Sequence, residues 1–288
     1  MKRVILTSNP YRDDNFKTAR AAIRIRQEAG MEPRLCLPFE VDKSFALPRD
    51  LRFYSLDREL HNADLVICFG GDGTILHMAK AATRAGLPLL GINIGTMGFM
   101  AELEPTELEQ LKRLASDDYT LDERMMLDVT VTRDRDINFH DICLNDAVIT
   151  KGAVARTVYL NVECDGVQAM ECGGDGIIIA TPTGSTAYSL SAGGPIVEPD
   201  AQNILITPIC AHDMVSRCIV ASEKRVVRVS VVKNSRRNAF LSVDGGKAVR
   251  MNIGDVATIK ASPMRTKLVR LKDRSFYDVV NAKFKYSR

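Results

Sequence analysis

The first 120 residues alternate between short apolar runs and stretches with helical spacing. Residues 15–29 carry apolar side chains roughly on one face, and Gly30 follows as a stop signal. The short apolar runs predict buried strands at residues 4–6, 34–37, 65–69 and 88–93, with an irregular charged connection before residue 60. Strands that alternate with helices predict an open parallel sheet, whose ligand lies beyond the carboxyl ends of the strands.

Two more helices are predicted in this half of the chain. One follows the third strand and ends at Gly86, with an apolar face at Ile75, Leu76, Ala79 and Ala82. The other runs to about residue 115, and Thr106 with Glu109 predicts its capping box.

The pattern changes near residue 120, where apolar and polar residues begin to alternate with period two. This predicts strands at residues 126–131, 142–149, 157–164, 167–170, 177–180, 225–232, 239–243, 255–260 and 268–271. Residues 276–284 have the spacing of a closing helix, and the basic stretch 233–238 is expected to be an exposed turn. We therefore predict an α/β N-terminal domain with an open parallel sheet (residues 1–120, with 266–288 packing back on it) and a β-rich C-terminal domain (residues 121–265).

A glycine cluster follows the third strand and opens the next helix. Gly70, Gly71 and Gly73 are expected to adopt positive φ and to let a ligand approach the backbone, and Thr74 lies at the helix start, where free N–H groups favour an anion. Asp72 stands in the middle of this anion site. A carboxylate beside phosphates is unfavourable unless it holds a metal or takes a proton, and the alternative is a plain strand-to-helix turn.

Composition narrows the class of protein without identifying it. The 288 residues have a net charge of +3, which is too small to argue for nucleic acid. There is no apolar leader and no long uncharged apolar run, so we expect no membrane partner and a cytoplasmic protein. The seven cysteines are scattered singly, as in a reducing compartment, and Cys210 with His212 lacks further metal ligands.

Three polar segments of the second half are candidate binding residues. Asn145 and Asp146 interrupt an apolar strand and could serve sugar hydroxyls, or could simply end the strand and face solvent. Residues 181–189 are dense in hydroxyls, which is typical of a polar ligand site or of a surface turn. Asp244 begins an Asp-Gly-Gly sequence that is most simply a hairpin turn, and Asp165-Gly166 predicts another.

Four segments together resemble the NAD kinase family. They are the Gly-Gly-Asp-Gly-Thr sequence at 70–74, Leu-Asn-Asp at 144–146, Gly-Asp-Gly-Ile at 174–177 continuing through the Thr-Pro-Thr-Gly-Ser-Thr-Ala-Tyr block at 181–188 to Pro195, and Ser-Val-Asp-Gly at 242–245. The first motif also occurs in diacylglycerol, sphingosine and 6-phosphofructo-kinases, whereas the block at 181–188 is specific. The similarity covers nearly the whole chain, with the segments in the right order.

The resemblance implies a reaction and a set of site residues. The family uses ATP and Mg²⁺ to phosphorylate the 2′-hydroxyl of the adenosine ribose of NAD, giving NADP. It implies that Asp72 is the catalytic base, that the turn of Gly70, Gly71, Gly73 and Thr74 holds phosphates, and that the metal comes with ATP and has no dedicated protein site. The other implied contacts are the ribose (Asn145, Asp146), the adenine pocket (Thr186, Ala187, Tyr188, Ser191, with Phe99 nearby), the nicotinamide end across a subunit interface (Asp175) and a polar wall (Asp244).

The resemblance also implies a homodimer or homotetramer whose sites lie near the subunit interface. Two alternatives remain at this stage: a lipid or sugar kinase of the same superfamily, and a catalytically silent sensor that binds NAD(P). Asp72 argues against a sensor, because binding alone gains little from a carboxylate beside phosphates. Asp146 stands where the family usually has Glu, so its reach to the ribose is one methylene shorter.

Overall fold

The computed structural model describes residues 1–42, 44–95, 98–134, 136–152, 156–212, 216–232 and 238–285, without the side chains of residues 284 and 285. Its strands are β1 (Arg3–Ser8), β2 (Glu32–Cys36), β3 (Leu65–Gly70), β4 (Leu89–Asn93), β5 (Thr120–Arg133), β6 (Asp136–Cys143), β7 (Asp146–Lys151), β8 (Val158–Cys164), β9 (Val167–Gly174), β10 (Gly176–Ala180), β11 (Asn203–Ile209), β12 (Ile219–Ser222), β13 (Val227–Val231), β14 (Ala239–Val243), β15 (Val249–Met251) and β16 (Val256–Arg270). Its α-helices are α1 (Lys17–Glu28), α2 (Leu56–Leu60), α3 (Asp72–Arg84), α4 (Tyr188–Ser191) and α5 (Phe276–Lys285). 3₁₀ segments cover Asp14–Phe16, Pro105–Ser116 and Thr183–Thr186.

The chain forms two compact units, a first unit of Met1–Glu123 with Thr266–Arg288 and a second unit of Arg124–Arg265. In the first unit the strands are parallel in the order β2-β1-β3-β4, and Leu268 at the end of β16 pairs with Leu89 of β4. This is the predicted open parallel sheet. The carboxyl ends of β1, β3 and β4 are therefore neighbours, so the loops that follow them share one edge of the sheet.

Helices cover both faces of the first sheet. Leu90 and Ile92 belong to the core cluster that contains α1 and the segment Pro105–Ser116. Gly91, which points to the opposite face, lies so close to Ile75 of α3 that a Cβ there would overlap the Ile75 side chain. The alternation of strand residues thus separates a face that packs on α1 from a face that packs on α3.

The second unit is β-rich, as the period-two pattern predicts, and its strands form a pair of packed sheets. One sheet is antiparallel in the order β12-β11-β10-β7-β14-β15. In the other, β16, β13, β8 and β9 are successive antiparallel neighbours, and β5 pairs with both β16 and β6. Side chains of both sheets, including Leu160, Val229, Ile179 and Leu241, form a single buried core.

Several predicted elements differ in the structure. The apolar run 142–149 is two strands, because the chain bends at Leu144 and Asn145 between β6 and β7. The predicted strands 255–260 and 268–271 are the two ends of one long strand, β16. The strands β11, β12 and β15 and the one-turn helix α2 were not predicted, and residues 233–237 of the predicted basic turn lie outside the described residues.

The capping box of the segment Pro105–Ser116 is also shifted. Its N-cap is Glu104, whose side chain accepts from the backbone of Glu107 while Glu107 accepts from the backbone of Glu104, so Thr106 and Glu109 do not form the pair. Pro105 occupies the first helical position, where its missing N–H costs no hydrogen bond. Within the described part of the chain, no helix is both long and apolar enough to cross a membrane.

Candidate functional site

The glycine turn lies where β3 ends and α3 begins. Helix α3 starts at Asp72 itself, two residues before Thr74, with Gly71 as its N-cap in an extended conformation (φ −89°, ψ −179°). The expectation of positive φ at Gly70, Gly71 and Gly73 was wrong, because none of them has it. Gly70 is required for a different reason: a Cβ there would overlap the side chain of Thr74.

The carboxylate of Asp72 is held by the backbone that follows β4. The N–H of Phe99 donates to Oδ2 (2.9 Å) and the N–H of Met100 donates to Oδ1 (3.1 Å). Gly98 lies against the same carboxylate, and a Cβ at this position would overlap Oδ1. The Asp72 side chain is 31% exposed. It is therefore oriented by two donors while remaining open to a ligand.

The loop after β1 reaches the same edge of the sheet. Asn9 Nδ2 donates to Thr74 Oγ1 (3.1 Å), which fastens this loop to the first turn of α3. Asp13 is buried and accepts from Ser8 Oγ and from the N–H groups of Thr18 and Ala19, so the far end of the loop is fixed as well.

Arg12 lies between those two anchors and points at the glycine turns. Its Nη1 atom would be 3.5 Å from a Cβ at Gly71 and 2.7 Å from a Cβ at Gly95. Among the described residues its guanidinium has no hydrogen-bond or ion-pair partner. Arg12 also lines a cavity of about 340 Å³ together with Lys17, Asn93 and neighbouring residues. The arrangement presents a positive charge beside the N-terminus of α3 at the ends of three strands.

In the second unit a single carboxylate builds the turn at residues 144–146. Asp244 Oδ2 accepts from the N–H of Leu144 (2.9 Å), and Oδ1 accepts from the N–H groups of Asn145 (2.9 Å) and Asp146 (3.1 Å). Asp244 itself has φ +49° in the predicted hairpin turn between β14 and β15. It satisfies three donors that a bend would otherwise leave unpaired.

Asp146 is the buried acid of this turn. Its side chain accepts no hydrogen bond from a described residue, and the residue is 5% exposed. Burial, and secondarily the charge of Asp244, raises the pKa of Asp146 to about 7. A carboxyl in this state can donate as well as accept near neutral pH.

Some residues of the hydroxyl-rich block 181–191 are buried, and others are partly or fully exposed. Thr181 Oγ1 donates to the carbonyl of Leu144 (2.5 Å), Ser185 contacts the backbone of Val197, and Ser189 Oγ lies 2.9 Å from Thr207 Oγ1. These hydroxyls hold the block in place. The four residues that the resemblance implies for the adenine pocket, Thr186, Ala187, Tyr188 and Ser191, are partly or fully exposed, as is Leu190.

The structure brings this block together with the turn at residues 144–146. The N–H of Thr181 donates to the carbonyl of Asn145 (2.9 Å), and a Cβ at Gly184 would overlap that carbonyl. Asp175 is not part of this group. It directly precedes the other end of β10, five residues and roughly 17 Å from Ala180 at 3.3 Å per residue, and forms an ion pair with Lys151 (2.6 Å).

The described residues contain no group of three or more His, Cys, Asp or Glu side chains that could hold a metal. Cys210 and His212 both belong to the described part of the chain, and they are not members of such a group.

Two family models match the chain and together cover most of it. The model of the ATP-NAD kinase N-terminal domain matches residues 12–119, and that of the ATP-NAD kinase C-terminal domain matches residues 144–271. The chain belongs to the NAD kinase family. It is therefore an ATP-dependent kinase that acts on NAD, and the resemblance in its four motifs is confirmed.

Individual relatives agree with this assignment. The NAD kinase of Acetivibrio thermocellus is 39% identical over 284 residues, covering 98% of this chain and 97% of the relative. The NAD kinase of Natranaerobius thermophilus is 43% identical over 222 residues, or 77% of each chain.

Two solved structures share the fold. The yeast NADH kinase complexed with NADH has a TM-score of 0.82 at 25% identity, covering 98% of this chain and 86% of its own. The NAD kinase from Archaeoglobus fulgidus in complex with ATP has a TM-score of 0.75 at 25% identity, with 98% of each chain covered. The predicted fold class, an α/β unit followed by a β-rich unit, is confirmed.

Two charged residues of the first unit were not identified from the sequence. Arg12 follows the first strand by four residues, and its place at a strand's carboxyl end was the available signal. Lys283 of α5 lies 3.9 Å from Asp72 Oδ2, a contact that joins residues 211 positions apart (283 minus 72) and that no local pattern indicates.

Proposed function

We propose that this chain transfers the γ-phosphate of ATP to the 2′-hydroxyl of the adenosine ribose of NAD, with Asp72 as the general base. The observation that carries this assignment is the Asp72 carboxylate, which is oriented by the Phe99 and Met100 N–H groups and is still accessible at the start of α3. A ribose hydroxyl is a poor nucleophile at neutral pH. A carboxylate within about 3 Å accepts its proton as the new P–O bond forms.

Phosphoryl transfer depends mainly on alignment and on neutralising phosphate charge. The N-terminus of α3 and the guanidinium of Arg12 are suited to the phosphates of ATP, because both present positive charge at the same edge of the sheet. We assign Gly70, Gly71, Gly73 and Thr74 to the phosphate contact through the backbone of this turn.

The donor set of the protein fits a Mg²⁺ ion that arrives with ATP. Mg²⁺ is usually held by one or two carboxylates together with substrate phosphates and water, and the described residues offer no larger cluster. The ion, when bound, neutralises charge on the phosphate oxygens. No dedicated protein site is proposed.

The second unit supplies the recognition of NAD. Asn145 and Asp146 are assigned to the ribose hydroxyls, because an amide and a carboxyl of raised pKa offer both donors and acceptors. The accessible residues Thr186, Ala187, Tyr188 and Ser191 are assigned to the adenine. Asp244 supports the turn that carries Asn145. Phe99 belongs to the first unit, and its contact with the adenine stays a prediction.

Asp175 is assigned to the nicotinamide end of NAD bound to a neighbouring subunit of a homodimer or homotetramer. Its distance along β10 from Asp146 supports this separation of roles. Light scattering of the purified protein tests the assembly. We also place the enzyme in the cytoplasm, which fits the scattered positions of its seven cysteines along the sequence.

A coupled assay tests the proposed function. Purified protein is incubated with NAD, ATP and Mg²⁺, and an NADP-specific dehydrogenase reports the product, with NADH, polyphosphate and metal-free mixtures run in parallel. NADP formed only in the presence of metal supports the proposal. Folded protein that binds NAD without forming NADP would instead indicate a sensor.

A further inference from the structure

The C-terminal helix α5 brings an ammonium group to the carboxylate of Asp72. Lys283 Nζ lies 3.9 Å from Asp72 Oδ2 and 4.1 Å from the centre of the Phe99 ring. The Lys283 side chain is 39% exposed, so its charge is partly withdrawn from water. A cation over an aromatic face is attracted by the ring electrons. One side chain thus contacts two residues of the proposed site, and all three lie in the first unit.

These contacts add to those that the backbone makes with the Asp72 carboxylate. The N–H of Phe99 donates to Oδ2, the N–H of Met100 donates to Oδ1, and Gly98 leaves no room for a side chain beside Oδ1. Lys283 adds a charged contact on the Oδ2 side. The backbone groups fix where the carboxylate sits, whereas Lys283 is a contact that comes from a distant part of the chain.

The positive charge of Lys283 can offset the negative charge of Asp72 at this position. A carboxylate close to the phosphates of ATP repels them, and the repulsion is larger in a partly desolvated site than in water. An ammonium about 4 Å from that carboxylate makes the pair neutral. Its contact with the Phe99 ring also restrains the loop whose N–H groups orient Asp72.

We propose that Lys283 is a positioning residue of the kinase reaction, which holds Asp72 and Phe99 in the arrangement that accepts the ribose proton. This inference rests on the proposed function, because it assigns Lys283 a role through the base Asp72. The C-terminal helix then belongs to the catalytic apparatus and is more than a closing element of the fold.

Substitutions at Lys283 test this role. Lys283→Met keeps most of the length of the side chain and removes the charge, and Lys283→Arg keeps the charge. We expect Lys283→Met to lower kcat by about 10-fold or more, with the dissociation constant for NAD changed less than threefold, and Lys283→Arg to recover most of the loss. Lys112→Met is the matched control, because Lys112 is an exposed lysine of the same unit paired with Glu109 and Glu28.

The double variant with Asp72→Asn shows whether Lys283 acts through Asp72. If it does, Lys283→Met costs less than about twofold in kcat when Asp72 is already Asn, since effects of residues that act together are not additive. A full additional loss in the double variant would overturn the positioning role. So would normal kcat in Lys283→Met, or a loss that follows a fall in melting temperature and is not recovered by Arg.

The two proposals fail in different ways. Near-normal turnover of Asp72→Asn alone would remove the base assignment and with it the role of Lys283. If Asp72→Asn loses most of its turnover while Lys283→Met keeps normal turnover, the proposed function stands and only the inference about Lys283 is rejected.

Discussion

Asp244 Oδ1 accepts a hydrogen bond from the backbone N–H of Asn145 at 2.9 Å, although 99 positions separate the two residues in the chain. The same carboxylate also accepts from the N–H groups of Leu144 and Asp146. A hairpin turn between β14 and β15 thus supplies the acceptor that lets an apolar segment bend between β6 and β7. The bend is what exposes Asn145 at a candidate ribose site instead of leaving it in the middle of a strand.

Asp244→Ala should therefore weaken NAD binding, because the Asp244 carboxylate holds the turn that carries Asn145. Three backbone donors lose their acceptor, and buried unpaired donors cost roughly 1–3 kcal/mol each. We expect the KM for NAD to rise about 10-fold or more, with a smaller change in the KM for ATP. Steady-state kinetics with each substrate varied in turn measures both values.

Asp165 provides a matched control for that substitution. It also has positive φ (+52°) in an Asp-Gly hairpin turn, and it accepts from the N–H of Val226 (2.9 Å), but none of the site residues depends on it. Asp165→Ala should lower stability modestly and leave the KM for NAD unchanged. Equal effects of the two substitutions on NAD binding would contradict the special role of Asp244.

The stability of the protein should depend on pH through Asp146. Its pKa is about 7 in the folded protein, mainly because of burial, against about 3.9 in an unfolded chain. The folded state therefore binds this proton more tightly. The stabilisation that results is fully present below about pH 4 and is lost as the pH rises through 7.

Asp146→Asn removes this titration. We expect the variant to exceed the wild type in free energy of unfolding by roughly 2 kcal/mol or more at pH 8, and the difference to shrink towards pH 4. Guanidinium unfolding followed by circular dichroism at pH 5 and pH 8 measures it. A difference that is the same at both pH values would mean that the carboxyl titrates normally.

The fold was predictable where local pattern and tertiary environment agree. Strand β3 is buried along its whole length and continues into a helix with one apolar face, so its apolar run and glycine turn identify it at once. Strand β11 was missed, and it contains Pro208, a residue that normally argues against a strand. Among the described residues, the pairing of β11 with β12 ends at Ile206, two residues before Pro208, whereas Pro208 still lies opposite Ile177 of β10.

The candidate site was predictable only in part, because some of its residues are brought there by contacts between distant parts of the chain. Asp72 and Thr186 stand in local motifs, whereas Arg12 and Lys283 acquire their positions from contacts across the first unit. The bend at Asn145 depends on an acceptor 99 residues away, so the sequence pattern left open whether Asn145 and Asp146 interrupt a strand or end it. Positive φ was expected for the glycine turn, but the close approach of the Thr74 side chain explains Gly70 without it.

Replacing Asp72 tests the chemistry directly. Asp72→Asn keeps the size of the side chain and removes the proton acceptor, and we expect turnover to fall by roughly 100-fold or more. Asn has an NH₂ group in place of one of the two carboxylate oxygens. This group cannot accept the hydrogen bond that the N–H of Phe99 or Met100 donates, so a small loss of stability is also expected. Single-turnover kinetics separates the chemical step from binding, and unaltered turnover would exclude Asp72 as the base.

Arg12 should determine affinity for the phosphate donor. Its backbone is held between Asn9 and the buried Asp13, and its guanidinium lies beside Gly71 and Gly95 without a described partner, so little rearrangement is needed to meet a phosphate. We expect Arg12→Met to raise the KM for ATP about 10-fold or more, as loss of a charge-assisted contact predicts, and to change the KM for NAD less than twofold.

Arg24→Met is the control for this substitution, because Arg24 is an exposed arginine of α1 that is also without a described partner. It removes the same net charge from the same unit. Binding of tripolyphosphate, measured by calorimetry, distinguishes a local contact from a general field effect: it should weaken in Arg12→Met and stay at the wild-type value in Arg24→Met. If both variants lost affinity equally, the overall charge of the unit, and not the position of Arg12, would govern donor binding.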